Sequence, residues 1–197
     1  MIKTTGSTEF KIAVTGHRHI DANQILIDSI ISIFHELIEN NIGKDYYLYS
    51  AVAEGSDQLV ADLALRNEDI KLIITLPLSA SDYLDDFETH FGIQKFSDLV
   101  QSAHRIIQLP DQPDHETAYQ FLGEFLVKEC DVLIAIWNGT FSNKPGGTSE
   151  VVKLATKMEK PIIWIYSSQT INEANNSLLD KKQPGEIEFI GFSSLRD

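Results

Sequence analysis

Six short runs rich in Val, Ile and Leu alternate with five stretches of helical length, and this alternation limits the fold more than anything else in the chain. The runs are residues 11–15, 46–52, 71–76, 105–109, 131–137 and 161–166. Between them lie amphipathic stretches at 22–40, 56–67, 89–102, 115–129 and 149–158. Strands that are apolar on both faces need cover on both faces, which a parallel sheet between helical layers provides. Strict strand–helix alternation therefore predicts an α/β fold: a doubly wound, mainly parallel, Rossmann-like sheet with helices on both faces.

The first helical stretch shows the pattern. Ile27, Ile30, Ile31, Phe34, Leu37 and Ile38 recur at helical spacing, and Asp21 is the expected N-cap. Asn40-Asn41-Ile42-Gly43 supplies a stop. After residue 166 the chain turns polar and rich in turn formers, with Ile187, Phe189, Ile190 and Phe192 as material for one last short strand or strap. The 197 residues are read as a single domain, 1–197, with a core at about 10–166 and a polar C-terminal extension at 167–197.

Charge excludes some partners. With 16 Lys and Arg against 29 Asp and Glu, the net charge is −13, which opposes non-specific nucleic-acid binding. A local cluster such as His17, Arg18 and Lys144 can still oppose that field and hold a small anion. No apolar run reaches the ~20 residues of a membrane span, and the first residues lack the apolar core of a signal peptide. Cys130 is the single cysteine, so no internal disulfide forms; a cytoplasmic protein is expected, with Cys130 packed in the interior.

Three loops that follow strands carry the unusual residues. Ligands of doubly wound sheets sit beyond the carboxyl ends of the strands. The first loop is Thr15-Gly16-His17-Arg18: Gly16 allows a tight exit, His17 can donate, and Arg18 offers a planar fork for phosphate or carboxylate oxygens. In the second, Glu54-Gly55-Ser56-Asp57, Ser56 or Asp57 serves as a helix cap, and Glu54 or Asp57 can accept ribose hydroxyls. The third runs from Trp137-Asn138-Gly139 to Lys144-Pro145-Gly146-Gly147-Thr148-Ser149-Glu150 and opens a helix. A helix start carries unpaired N–H groups and about half a positive charge, so Gly146, Gly147 and Thr148 are expected to hold phosphate.

Known signatures are otherwise missing. The third loop lacks the spacing of a Walker loop and of the dinucleotide fingerprint Gly-x-Gly-x-x-Gly. The six histidines form no metal-binding pattern, so neither a metal site nor a cofactor is expected. In the segment 76–87, Asp82, Asp85 and Asp86 read as a solvated face or acidic rim. Tyr83 and Phe87, four apart, share a face as core or as a stacking surface.

Together these loops resemble the SMF/DprA–LOG (SLOG) superfamily of Rossmann-like nucleotide-binding proteins. The likeness rests on Ile12–Arg18, Ser50–Asp57, Tyr119 with Gly123, 131–139 and Gly146-Gly147-Thr148-Ser149-Glu150-Val151-Val152. It implies a nucleotide or nucleotide-derived ligand, a homo-oligomer, and, in the sensor branch, a separate effector protein. In the LOG-like branch it implies an enzyme that hydrolyses the N-glycosidic bond of a nucleoside monophosphate. Glu150 and Glu54 are the candidate catalytic carboxylates for that reaction. LOG-like members carry Pro-Gly-Gly-x-Gly-Thr-x-x-Glu; here Thr148-Ser149-Glu150 follows Gly147 at once, two loop residues shorter.

Overall fold

The fold was read from a computed structural model, which describes residues 8–142, 146–167 and 182–192. Lys144, Pro145 and the polar stretches 168–181 and 193–197 lie outside the described residues.

The chain runs β1 (Glu9–Gly16), α1 (Gln24–Asn40), β2 (Asp45–Ser50), α2 (Ser56–Ala64), β3 (Ile70–Leu76), α3 (Ala80–Leu84) and α4 (His90–Ser102). It continues with β4 (Arg105–Gln108), α5 (His115–Glu129), β5 (Val132–Trp137), α6 (Thr148–Lys157), β6 (Ile162–Tyr166) and β7 (Ile187–Ile190). The strands form one sheet in the order β4-β3-β2-β1-β5-β6-β7. All neighbours pair in parallel except β6 and β7, which are antiparallel. This is the expected α/β class, a doubly wound Rossmann-like sheet, with β7 closing one side.

The order decides where a ligand can go. The chain steps outward from β1 through β2 and β3 to β4, then returns to the other side of β1 at β5. The reversal lies between β1 and β5, which run in register from Ile12↔Val132 to Gly16↔Ile136. Right-handed crossovers put the helices of the outward and return paths on opposite faces. Accordingly α2 packs on α1 and α4, while α5 packs on α6. The carboxyl ends of β1 and β5 splay a crevice at this reversal, between the two layers.

The strands are apolar because helices cover both faces. Ile12, Ala13 and Val14 of β1 and the whole of β5 are buried. Fully burying one such aliphatic side chain stabilises the fold by about 1.5–3 kcal/mol. In α1, Leu26, Ile30, Ile33, Phe34 and Leu37 face the core, with Ile27, Ile31 and Ile38 flanking them, half-buried. Asn23, not Asp21, caps α1: its side chain accepts from the Leu26 N–H at 3.0 Å. The helix starts later than its apolar spacing suggested, and Asp21 instead accepts from the Asn23 amide at 3.3 Å.

Two segments depart from expectation. β2 stops at Ser50, because Val52 turns into the left-handed region at φ 50° and the chain leaves the sheet. Residues 80–84 form the extra short helix α3, capped by Ser79, which carries Tyr83 into the core. At the far side of the sheet, Lys182 stands 4.5 Å from the Trp164 ring and pairs with Glu186 and Glu188.

Candidate functional site

The exit of β1 and the entry to α2 are built as one unit. His17 donates its N–H to the Ile136 carbonyl of β5 at 3.1 Å, which holds the first loop over the reversal point. Its own carbonyl accepts from both the N–H and the hydroxyl of Ser56, at 3.0 and 2.9 Å. Gly55, at φ 86°, lies directly under Arg18, and a β-carbon there would collide with the Arg18 carbonyl oxygen. Ser56 was a candidate cap for α2; its hydroxyl serves the neighbouring loop instead, and α2 starts on Gly55 without a side-chain cap.

Asp57 sits in the first turn of α2, buried, with its side chain at the crevice. Burial pushes its carboxyl up to about 7, although N–H groups of Ala53 and Ala51, the Ser50 hydroxyl and nearby Arg18 all favour the ionised form. The two N–H groups flank Val52, whose backbone takes an uncommon left-handed conformation at φ 50°.

Arg18 turns toward the segment between α3 and α4. Its Nη1 donates to the Asp86 carbonyl at 2.9 Å, and it lines the cleft with Tyr119 of α5. The Tyr119 hydroxyl donates to the Asp86 carboxylate at 2.5 Å. Burial and that carboxylate raise the Tyr119 phenol far above its ordinary value, so it stays a donor. At the rim, His115 lies 3.7 Å from the Asp86 carboxylate and His19 lies 3.5 Å from that of Glu88.

The glycine loop reaches α6 as expected. The first bonds into the helix run from the N–H groups of Glu150 and Val151 to the Gly147 carbonyl, so those of Gly147, Thr148 and Ser149 precede the ladder. Gly146, at φ 65°, packs so closely on Tyr119 that a β-carbon would lie 2.5 Å from that of Tyr119. The Gly146 N–H is spent locally, donating to the Glu150 carboxylate at 2.8 Å. Ser149 fastens the strand-exit side: its hydroxyl donates to the Ser142 carbonyl at 2.9 Å and accepts from the Ser142 N–H at 3.2 Å.

Asn138 closes the ring. Its N–H points at His17 Nε2 at 3.2 Å, its Oδ1 lies 3.1 Å from the same nitrogen, and that oxygen accepts from the Thr140 N–H. Burial lowers the His17 pKa, which suits an imidazole that accepts from a backbone N–H at neutral pH.

These elements enclose a cleft of about 590 Å³, within the range of small-molecule sites. Of the residues named from sequence, Gly16, His17, Arg18, Asp57, Asn138, Gly146, Gly147 and Thr148 line it. Gly55, Ser56 and Gly139 are not among the lining residues, nor are the two candidate catalytic carboxylates, Glu54 and Glu150. Glu54 faces the start of α4, accepting from the N–H groups of Glu88 and Thr89 at 2.6 and 3.0 Å and from the Thr89 hydroxyl at 2.6 Å. Burial alone would raise its pKa, but these bonds prevail and lower it.

No family model and no curated protein matches the chain. Among solved structures, TM1055, a structural genomics target determined by X-ray, is similar to it at 15% identity, covering 78% of this chain and 72% of its own, with a TM-score of 0.45. That degree of likeness says nothing of chemistry.

Sequence reading missed part of the lining. In the sequence Tyr83 reads as core or stacking surface, and only the family resemblance points to Tyr119; both line the cleft. Asp86 and Tyr119, 33 residues apart, meet only because β4 and α5 bring the chain back across the sheet. Among the described residues no three His, Cys, Asp or Glu side chains converge on a metal position, and no helix is long and apolar enough to cross a membrane.

Proposed function

We propose that the cleft binds a nucleotide or nucleotide-derived molecule and that the protein works as a sensor of it. One observation carries this reading: the start of α6 and the Arg18 guanidinium share one 590 Å³ cleft at the strand-order reversal, with the buried Asp57 carboxyl in the same lining. Phosphate is held by the N–H groups of Gly147, Thr148 and Ser149 and by the Thr148 hydroxyl, where helix N–H groups and dipole favour an anion. Arg18 exchanges its bond to the Asp86 carbonyl for the stronger, charge-assisted bonds of a phosphate. Asp57, set in the lining, accepts from sugar hydroxyls.

We keep the proposal to binding. Glu54 and Glu150, the carboxylates named for hydrolysis of an N-glycosidic bond, are held by backbone N–H groups and are not among the lining residues, so neither is assigned that role. Calorimetry and thermal-shift titration against nucleoside mono-, di- and triphosphates, cyclic nucleotides and ADP-ribose derivatives test the reading. Saturable binding by one class, weakened about tenfold or more in Arg18→Ala, is the expected result. A folded protein that binds none of them removes it.

A further inference from the structure

Tyr83 presents a chemical anomaly at the cleft. Its ring is packed edge-on against Phe87 and Phe96, with centroids at 5.4 and 6.0 Å, and is tilted to Tyr119 at 6.2 Å. The residue is fully buried, yet among the described residues its hydroxyl has no hydrogen-bond partner, and the residue belongs to the cleft lining. A buried hydroxyl normally finds a partner, and leaving one unmade costs about 1–3 kcal/mol. Phenylalanine would fill the same aromatic cluster without that cost.

The surroundings define what could complete it. Asp57, Tyr119, Arg18 and Asp86 are the charged and polar groups that act on the Tyr83 phenol. Asp57 shares the cleft lining with Tyr83, and a carboxyl offers several acceptor sites. Two carboxyl groups nearby disfavour a second anion here. A sugar hydroxyl, which accepts from a phenol and donates to a carboxyl through one atom, meets both demands. Burial keeps the phenol protonated, so it remains a donor.

Resting on the nucleotide reading above, we propose that Tyr83 is a ligand-contacting, specificity-determining residue whose hydroxyl, beside Asp57, receives a sugar hydroxyl of the bound ribonucleotide. Tyr83 is covered here, so the contact forms when a neighbour yields. Arg18 shares the lining with Tyr83, and phosphate at α6 would draw its guanidinium away from the Asp86 carbonyl and open that side of the cleft. Phosphate capture and sugar recognition are then one movement.

The test titrates wild type and Tyr83→Phe with the four ribonucleoside 5′-monophosphates and their 2′-deoxy and 3′-deoxy counterparts, with melting temperatures recorded alongside. The wild type is expected to prefer a ribonucleotide over one deoxy counterpart by about tenfold, the worth of one hydrogen bond near 1.4 kcal/mol. Tyr83→Phe is expected to bind the ribonucleotide about tenfold more weakly, lose the preference, and melt no lower than wild type. Equal ribonucleotide binding by the variant, or no ribo–deoxy preference in wild type, overturns the inference and leaves the nucleotide reading intact. A clear fall in melting temperature in Tyr83→Phe also overturns it, since the hydroxyl would then have a partner within the protein. A wild type that binds neither these nucleotides nor any others removes the reading and the inference together.

Discussion

Ser56 gives two hydrogen bonds to one acceptor: its N–H and its hydroxyl both donate to the carbonyl oxygen of His17, 39 residues earlier. The start of α2 is thereby fixed to the loop that leaves β1. Ser56→Ala keeps the N–H bond and removes the buried hydroxyl, so it is expected to cost about 1 kcal/mol. In a chain of this size that lowers the melting temperature by about 2–4 °C, measurable by calorimetry. An unchanged melting temperature would show that the second bond contributes nothing.

Asp57 makes stability depend on pH in a stated direction. Its folded pKa is about 7 against an ordinary 3.8. Between those values the folded protein holds a proton that the unfolded chain has released, so the contribution is fully present below pH 3.8 and is lost as pH rises through 7. Asp57→Asn cannot titrate and is expected to lose less stability over that interval, whatever its absolute stability. The gap changes by about 1.4 kcal/mol for each unit by which the pKa is raised. Urea unfolding of both proteins from pH 4 to pH 8 checks this, and parallel curves would refute it.

Gly146 fits only because it has no side chain. Alanine there meets both an unfavourable φ of 65° and the Tyr119 side chain. Gly146→Ala is expected to displace the start of α6 from α5 and to weaken binding of phosphate-bearing ligands by at least about tenfold, one lost interaction of roughly 1.4 kcal/mol. Calorimetric titration alongside a circular dichroism spectrum separates lost affinity from lost fold.

Glu54 acts on α4. Glu54→Gln keeps the shape but removes the charge at a helix start, and is expected to cost about 0.5–1 kcal/mol of stability, as lost caps do. Ligand affinity should stay within twofold of wild type, roughly 0.4 kcal/mol. Its lowered pKa adds a sign: the stabilisation is present above the ordinary glutamate value of 4.5 and is lost as pH falls through the folded value. A large loss of affinity in Glu54→Gln would instead place the carboxylate on the ligand.

Strand runs and helical spacing were legible because burial imposes them locally. The apolar run at 131–137 became β5, and the Ile30, Phe34 and Leu37 spacing became the inner face of α1. Turn geometry was less legible. The β-rich reading of 46–52 could not register that Val52 leaves the strand at φ 50°, where its N–H turns back to the Ser50 hydroxyl at 2.9 Å. The site was legible as three loops, since each follows a strand that a doubly wound sheet brings to one edge. What each side chain does there was not. Glu54 meets Glu88 and Thr89, and Tyr119 meets Asp86, across more than thirty residues of intervening chain. No local pattern encodes such a pairing.

β7 has a consequence for how molecules of this protein behave in a crowd. It is the last strand on its side, so its outer row of backbone groups has no described partner strand and is a template on which another chain could continue the sheet. Lys182, Glu186 and Glu188 set charge along that margin, with Lys182 bonded to Glu188 at 2.8 Å. An incoming strand would have to strip water from all three. The border that completes the fold thereby also discourages one molecule from seeding a fibre with the next.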